Sequence, residues 1–350
     1  MKILYGIQGT GNGHITRARL MASAFAKMGV EVDYLFSGRE TSRYFDMEKF
    51  GNFRTFNGFT FVTEQGRVNT WKTAKQLNVR QFYNDIKTLD LSGYDLVFND
   101  FEPISAWAAK RQGIPVIGMS HQASFLHESV PVPGNRFQHK TFIKYFAPAN
   151  VYLGVHWQPF HRHILPPFVG QTPLASHCPS IANKVLVYLP FEQLTSVIDF
   201  LNDFPEKEFY CYHPEAIDQS CRHIHLRRPS REGFLCDLAN SSGVVANAGF
   251  ELSTEALQLG KKLLLKPLHG QFEQQANIMA LTTLGLATAM NYLNPNALDD
   301  WMNEVSKGNF RFPSNATPFV EWLLNKQWND VDSIHQKLWG NVIYETRRAS

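Results

Sequence analysis

The chain has 350 residues, 44% of them hydrophobic and 19% charged, a balance that excludes disorder and suits two ordinary α/β domains. No apolar run approaches the length of a membrane span, and Met1-Lys2 leads straight into a strand, so neither a spanning helix nor a signal peptide is expected. Net charge is +3 but unevenly spread: residues 1–170 hold 19 Lys and Arg against 12 Asp and Glu, while 171–350 hold 15 against 19.

A basic first half suits an anionic small partner or a membrane surface, and suits a merely solvated surface equally well. No dense Lys/Arg run or aromatic-basic motif appears, so nucleic acid is not an expected partner. The cysteines, Cys178, Cys211, Cys221 and Cys236, show neither metal-ligand nor framework spacing. They read as reduced thiols of a cytoplasmic protein.

Lys2 to Gly6 makes a first strand, followed by Gly9-Thr10-Gly11-Asn12-Gly13 and then His14-Ile15-Thr16-Arg17. A helix follows with Leu20, Ala24 and Met28 on one face; Gly29 closes it, and Val30 to Phe36 is the second strand. This βαβ start is not a dinucleotide site. The third glycine of G-x-G-x-x-G falls on His14, and no acid follows the second strand, which closes on Ser37-Gly38. No Gly-Lys-Ser/Thr follows either, which excludes a P-loop.

Arg39 to Leu89 is mixed: short aromatic strands from Phe53 to Val62, then a helical stretch from Trp71 to Leu89. Tyr94 to Asn99 forms a buried strand with Asp100 at its C-terminal edge, where ligands collect in open α/β sheets. Asp100 is equally suited to cap the next helix, which runs through Ala106 to Ala109. Val116 to Met119 is another strand, and Ser120-His121-Gln122 sits at its end. Residues 125–148 interleave His127, Arg136, His139, Lys140 and Lys144 with Phe125, Phe137, Phe142, Tyr145 and Phe146. The pattern predicts an amphipathic helix packing its aromatics inward; contact with anionic lipid or an acidic ligand is the other reading. His156, His161 and His163 fit no zinc spacing and read as ordinary histidines.

Pro159, Pro166, Pro167, Pro173 and Pro179 mark a hinge where the basic half ends. Val185 to Leu189 opens a second α/β domain, with a helix at Leu194 to Leu201 and a strand at Glu208 to Tyr212. The stretch Val244 to Asn277 then holds an apolar run, a turn on Asn247-Ala248-Gly249 and a helix that Gly260 closes. A second run, Leu263 to Leu265, ends at Pro267 before a Gln-rich polar loop. Backbone N–H groups at such a helix start can hold a phosphate. Glu251 and Glu255 lie four apart on one side of that helix, a like-charge spacing that costs a few tenths of a kcal/mol. Ile278 to Ala289 reads as a helix and a strand edge, and Thr317 to Tyr344 as helices. Asp330-Val331-Asp332 lies in that helical tail, far from any glycine turn, and reads as surface charge rather than a metal site.

The stretch 244–277 resembles the donor-site signature of the UDP-glycosyltransferases and MurG-like enzymes. Their pattern is a turn ending in Gly, a small polar run, a Glu, a Pro, a loop, then an acid-Gln pair and Asn. Here those positions read Gly249, Ser253-Thr254, Glu255, Pro267, Glu273-Gln274 and Asn277. Asn247 stands where the plant-type transferases have His, and the loop before Glu273 is about two residues longer, so the donor sugar does not follow. The loop ending in Gly13-His14 and an apolar residue is similar to the first loop of the same enzymes.

The resemblance implies an α/β chain of two Rossmann-like domains facing a cleft, the GT-B fold. Its divisions are an acceptor-binding domain at 1–170, a nucleotide-sugar-binding domain at 171–315, and C-terminal helices at 316–350 crossing back to the first. It implies an inverting, metal-independent transfer of a sugar from a nucleotide donor, UDP-linked, to an acceptor hydroxyl on a glycan, lipid or small molecule. Beyond the donor no cofactor is implied. His14 is the implied base, oriented by Asp100, with His121 next in line. Gly11, Gly13, Asn247, Ala248, Gly249, Ser253, Thr254, Glu255, Glu273 and Gln274 are the implied donor-binding residues, and the neighbourhood of Arg228 to Phe234 the implied base contact. A cytoplasmic protein in peripheral contact with an anionic membrane is the matching location. The alternatives are a UDP-sugar 2-epimerase of the same fold and a non-catalytic nucleotide-sugar-binding protein.

Overall fold

The computed structural model describes residues 1–59, 63, 64, 67, 68, 78–170, 179–306 and 308–346. Two compact units emerge. The first takes its residues from 1–62, 70–170 and 312–342, the second from 63–69, 171–311 and 343–350.

The first unit is built on a seven-stranded parallel sheet. Its strands are β1 (Lys2–Gln8), β2 (Glu31–Ser37), β3 (Phe53–Phe56), β4 (Leu96–Asp100), β5 (Val116–Ser120), β6 (Val151–Val155) and β7 (Ile164–Leu165), in the order β3-β2-β1-β4-β5-β6-β7. The order reverses between β1 and β4, where Ile7 lies beside Asp100. In doubly wound sheets that reversal opens a crevice outside the carboxyl ends of the two strands.

Both faces are covered, as parallel sheets require. Leu4, Leu35 and Val97 pack with Ile86 of α2 (Val79–Thr88) and with Ile104 and Ala108 of α3 (Pro103–Gln112). On the other face Tyr5 and Phe98 meet Phe25 of α1 (Asn12–Lys27), and Phe98 also meets Phe319, 5.5 Å between ring centroids. Phe319 belongs to α11 (Thr317–Leu324), and α12 (Val331–Trp339) donates its Trp339 indole to the Ile164 carbonyl. The C-terminal helices thus return to the first unit. They stop sooner than the Trp-rich composition predicts: Ile343–Thr346 pairs antiparallel with Gly308–Arg311 in the second unit, the β-branched and aromatic run overriding the helical pattern. Among the described residues the remaining α-helices of this unit are α4 (His121–Ser124) and α5 (Arg136–Phe146). Of the helical stretch expected from Trp71, residues 71–77 lie outside the described residues.

The second sheet also has seven strands. They are β8 (Lys184–Tyr188), β9 (Glu208–Tyr212), β10 (Gln219–Cys221), β11 (Ile224–Arg227), β12 (Gly243–Asn247), β13 (Lys262–Lys266) and β14 (Thr288–Ala289), in the order β10-β11-β9-β8-β12-β13-β14. Only β10 runs antiparallel. Here the order reverses between β8 and β12. Val185, Val187, Phe209, Val245 and Leu264 form one core with Val197 and Leu201 of α6 (Leu194–Leu201) and with Leu298 and Trp301 of α10 (Pro295–Met302). Among the described residues the other helices are α7 (Arg231–Asn240), α8 (Phe250–Gln258) and α9 (Phe272–Thr283). α9 begins six residues before the helix expected at Ile278 and absorbs the Gln-rich segment read as loop. Gly270 supplies the turn at φ +83°, and Glu273 then sits in the first turn, where the helix dipole favours an acid. Cys211, Cys221 and Cys236 form no disulfide among the described residues, and Cys178 lies outside them.

Candidate functional site

After β1 the backbone turns through Gly9 into α1. Gly9 is required there: its amide donates to the Ser37 carbonyl at 2.6 Å, and the Tyr44 hydroxyl occupies the place of a Cβ. Arg39 braces the turn from outside, donating to the Gly9 carbonyl and to Asn12 Oδ1. Gly11 is the N-cap of α1, extended at φ −117° and ψ 158°; the helix has no side-chain cap, and nothing lies within 4 Å of where a Gly11 Cβ would stand.

His14 and Arg17 follow three apart, hence on one side of α1. Both reach Asp100 at the end of β4. His14 Nδ1 is 2.8 Å from Asp100 Oδ1, Arg17 Nη2 donates to the same oxygen at 2.8 Å, and Arg17 Nε donates to Oδ2 at 2.9 Å. Asp100 is fully buried and the Arg17 side chain is 2% exposed, while the His14 side chain is 15% exposed. Burial alone would push the Asp100 carboxyl up; Arg17 and then His14 outweigh it and hold the carboxyl below its ordinary range. A carboxylate can only accept, so the His14 Nδ1 must carry the proton in that hydrogen bond. In a neutral imidazole the other ring nitrogen, Nε2, then keeps its lone pair. Arg17 Nη2 also approaches Nδ1 at 3.2 Å, which a protonated Nδ1 makes a contact between two donors rather than a hydrogen bond.

The helix-capping role open to Asp100 belongs to Glu102 instead. Its carboxylate accepts from the amides of Ile104 and Ser105 and from the hydroxyls of Ser37 and Ser105. Pro103 at the first helical position is the sequence signal that places the cap there. Between the two acids Phe101 adopts φ +56°, the left-handed region that a bulky residue occupies only under constraint. His121 differs from His14: it is buried, and its Nδ1 lies 2.7 Å from the Val155 carbonyl. Arg17 is the member of the site that sequence reasoning left out. Its i+3 spacing from His14 was visible, but not its partner.

The second glycine turn ends β12. Gly249 is the N-cap of α8, extended at φ −72° and ψ 143°, again with no side-chain cap and nothing within 4 Å of its absent Cβ. Asn247 and Asn277, both buried, tie the turn down: Asn247 Nδ2 donates to the Lys266 carbonyl and Asn277 Nδ2 to the Ala248 carbonyl. Asn247 Oδ1 is buried with no hydrogen-bond partner among the described residues. Ser253 and Thr254 are buried, and their hydroxyl protons go to the carbonyls one turn back, Gly249 and Phe250. Gln274, also buried, accepts the Leu268 amide at 2.7 Å and so shapes the loop after Pro267. Gly249, Glu251, Glu255 and Glu273 remain at least partly exposed, or open at their Cα. Lys266, at the end of β13, makes a buried 2.6 Å ion pair with Glu192 in the loop after β8, a pair that spans the reversal in strand order.

Glu255 is the most perturbed acid of this turn. Burial pushes its carboxyl up to about 7, Glu251 one turn away adds to the shift, and Arg231 at the start of α7 opposes it. Arg231 follows Ser230, whose hydroxyl caps α7 through the Gly233 amide. Within the same helix Phe234 stands edge-on to Tyr188 and Tyr212, 5.3 and 5.1 Å away. The segment expected to meet the nucleotide base therefore carries an aromatic cluster, and its Arg231 acts on the Glu255 charge. The tail acids are structural: Asp330 caps α12 and Asp332 pairs with Arg162 at 3.3 Å. Among the described residues no cluster of His, Cys, Asp and Glu has the arrangement of a metal site.

Residues 1–306 match the model of glycosyl transferase family 1. No curated protein matches the sequence. Among solved structures, the SsfS6 glycosyltransferase of Streptomyces sp. SF2575 with thymidine diphosphate is similar at 12% identity and TM-score 0.57, over 97% of this chain and 96% of that one. LpCGTa in complex with UDP is similar at 14% identity and TM-score 0.57, over 87% and 90%. MurG of Acinetobacter baumannii is similar at 13% identity and TM-score 0.51, over 96% and 94%. At these identities the structures speak to the fold, which is GT-B. The family match spans most of the chain and both glycine turns: this protein belongs to glycosyl transferase family 1 and is a glycosyltransferase.

Proposed function

We propose that the enzyme moves a sugar from a UDP-linked donor to an acceptor hydroxyl with inversion at the anomeric carbon. The observation that carries this reading is the buried Asp100 carboxylate holding His14 Nδ1 at the edge of the β1/β4 reversal. It leaves Nε2 as a neutral base. His14 takes the acceptor proton, the acceptor oxygen forms its bond to the anomeric carbon, and the bond to the diphosphate oxygen breaks with its electron pair leaving on UDP. A single base acting on the acceptor supports one in-line displacement, hence inversion.

The leaving diphosphate is assigned to the amides at the start of α8, where Gly249 keeps the backbone open and the helix dipole favours negative charge. In this reading that electrostatic stabilisation makes a metal ion unnecessary. Ala248 belongs to this end of the donor site, with Ser253 and Thr254 bracing the first turn of α8 through their hydroxyl bonds to the Gly249 and Phe250 carbonyls, and Gly11 and Gly13 are assigned to the donor as well. Glu255 accepts from the ribose hydroxyls; Glu273 and Gln274 read the sugar. The basic first unit, with Phe137 and Tyr145 exposed beside Lys144 on α5, supports peripheral contact with an anionic membrane from the cytoplasmic side.

The test is a panel of nucleotide sugars screened by thermal unfolding. A bound donor at 100-fold its Kd adds about 2.7 kcal/mol of stability. Stabilisation by UDP-sugars, with release of UDP only when an acceptor alcohol is present, is the expected result. Indifference to every UDP-sugar sinks the donor assignment, and donor turnover without an acceptor points to the epimerase instead.

A further inference from the structure

The carboxyl edge of the second sheet holds a charge that its fold does not call for. β13 reads Lys-Leu-Leu-Leu-Lys, whereas buried parallel strands are continuous apolar runs. Lys266 ends the strand with a side chain 4% exposed, paired at 2.6 Å with Glu192, itself 10% exposed. A buried pair of this kind regains in attraction about what it loses in hydration, so two apolar residues would serve the fold as well. Stability alone does not account for Lys266.

Its position points to the crevice. β12 lies between β13 and β8, which sets those two strands about 10 Å apart. Lys266 and Glu192 bridge that distance past the end of β12, so the ammonium stands at the reversal in strand order, where doubly wound sheets hold their ligands. Lys266 also fixes the turn that opens α8. It is in register with Asn247, and its carbonyl accepts the Asn247 side-chain amide at 3.1 Å and the Ala248 amide at 3.2 Å. An ammonium has three donors, and among the described residues Lys266 gives one, to Glu192. The loops around it bring no second cation: residues 189–193, 248–249 and 267–271 read Leu-Pro-Phe-Glu-Gln, Ala-Gly and Pro-Leu-His-Gly-Gln, without Lys or Arg. Glu192 is itself held in place, its carbonyl 3.0 Å from His213 Nε2.

We infer that Lys266 is the cation that receives the diphosphate of the nucleotide donor, with Glu192 holding the ammonium at the crevice while the site is free. The inference rests on the proposed donor reading and adds a charged side chain to the α8 amides. The two N–H groups that Glu192 leaves over make charge-assisted bonds to the diphosphate oxygens, and these strengthen as the leaving group gathers negative charge. The nucleoside half of the donor carries no charge and makes no use of Lys266.

The test is an NMR titration of the methyl-labelled full chain with UDP and with uridine, neither of which needs an acceptor or turnover. Lys266→Met alone would strand the Glu192 carboxylate, so it is combined with Glu192→Gln, which removes both charges and keeps both side-chain lengths. The double variant is expected to bind UDP at least tenfold more weakly than the parent, and uridine within twofold of it. Glu192→Gln by itself keeps the cation and should bind UDP within threefold of the parent. Unchanged UDP affinity in the double variant overturns the inference. So does an equal loss of UDP and uridine, which would make the pair a brace for the turn, or a loss in Glu192→Gln as large as in the double variant. A parent that binds neither ligand fails the donor reading and this inference with it, whereas a double variant that binds UDP like the parent leaves the donor reading standing.

Discussion

α1 and α8 both start on an extended glycine, Gly11 and Gly249, with no side-chain cap and open space where a Cβ would stand. α3, α5 and α12 instead start on Glu102, Asn135 and Asp330, whose side chains accept from their first-turn amides. The two glycine starts thus forgo a cap that elsewhere contributes about 1 kcal/mol and keep backbone donors clear of competing acceptors. Past the glycine the two turns diverge. The first lies against a buried acid, Asp100 at the end of β4, whose charge is supported by Arg17 and His14. The second is followed by Glu255, whose charge is opposed by burial and by Glu251. In the proposed reading, one turn presents a base already poised, and the other presents an acid that gains partners when ribose hydroxyls arrive.

The largest test of that contrast is His14→Ala, expected to lower turnover by roughly 10²–10⁴-fold with donor affinity little changed; full activity would move the base elsewhere, with His121 next to be replaced. Arg17→Met should cost about 3–5 kcal/mol in urea unfolding, because it strands a buried carboxylate. An effect under about 1 kcal/mol would mean that Asp100 takes up a proton easily and does not orient His14 as an anion.

On the second turn, Glu255→Ala should weaken UDP and UDP-sugar alike by roughly 1.5–3 kcal/mol in titration calorimetry. Glu273→Ala should weaken the sugar nucleotide and spare UDP. Loss confined to the sugar nucleotide in both variants would remove Glu255 from the ribose.

The pH dependence runs in opposite directions at the two turns. Asp100, held below its ordinary range, stabilises the fold above its unfolded pKa, and that contribution is lost as pH falls through its folded value. Glu255, pushed up to about 7, imposes a penalty above pH 7 that is relieved as pH falls toward its unfolded value. Glu255→Gln should therefore stabilise the free enzyme by roughly 1–3 kcal/mol at pH 8 and by almost nothing at pH 4. Equal gains at both pH values would assign the effect to packing. The smallest expected change is in folding itself: Gly249→Ala should alter stability by less than about 1 kcal/mol, since its φ and ψ suit alanine, yet weaken donor binding by closing the approach to the backbone.

Much of this was legible in the residues. The strand, glycine turn and helix around His14 and again around Gly249 announce themselves by apolar runs broken at glycines, and Asp100 follows a continuous apolar strand. What was not legible depends on which side of a helix meets the rest of the protein. The spacing of Phe137, Phe142 and Tyr145 fixes their relative directions on α5, but only the neighbouring elements decide that Ile143 faces inward. Arg17 was hidden in the same way, since its partner lies 83 residues ahead in the chain. The Glu102 cap and the early start of α9 did have signals, Pro103 and an acid three residues past Gly270, that a weaker helical pattern obscured.

The first unit is assembled from segments on either side of residues 171–311, and this orders its biosynthesis. Phe98 and Phe168 find Phe319 only after residues 171–311 have been made. A ribosome-bound chain can therefore complete the second sheet while the first still lacks α11 and α12, leaving aromatic surface uncovered until residues 312–342 emerge. Closing so long a loop is a slow, non-local step. The final descent to the native enzyme should accordingly be limited by docking of residues 312–342, with a chain stopped at Arg311 prone to association through the face that Phe319 normally covers.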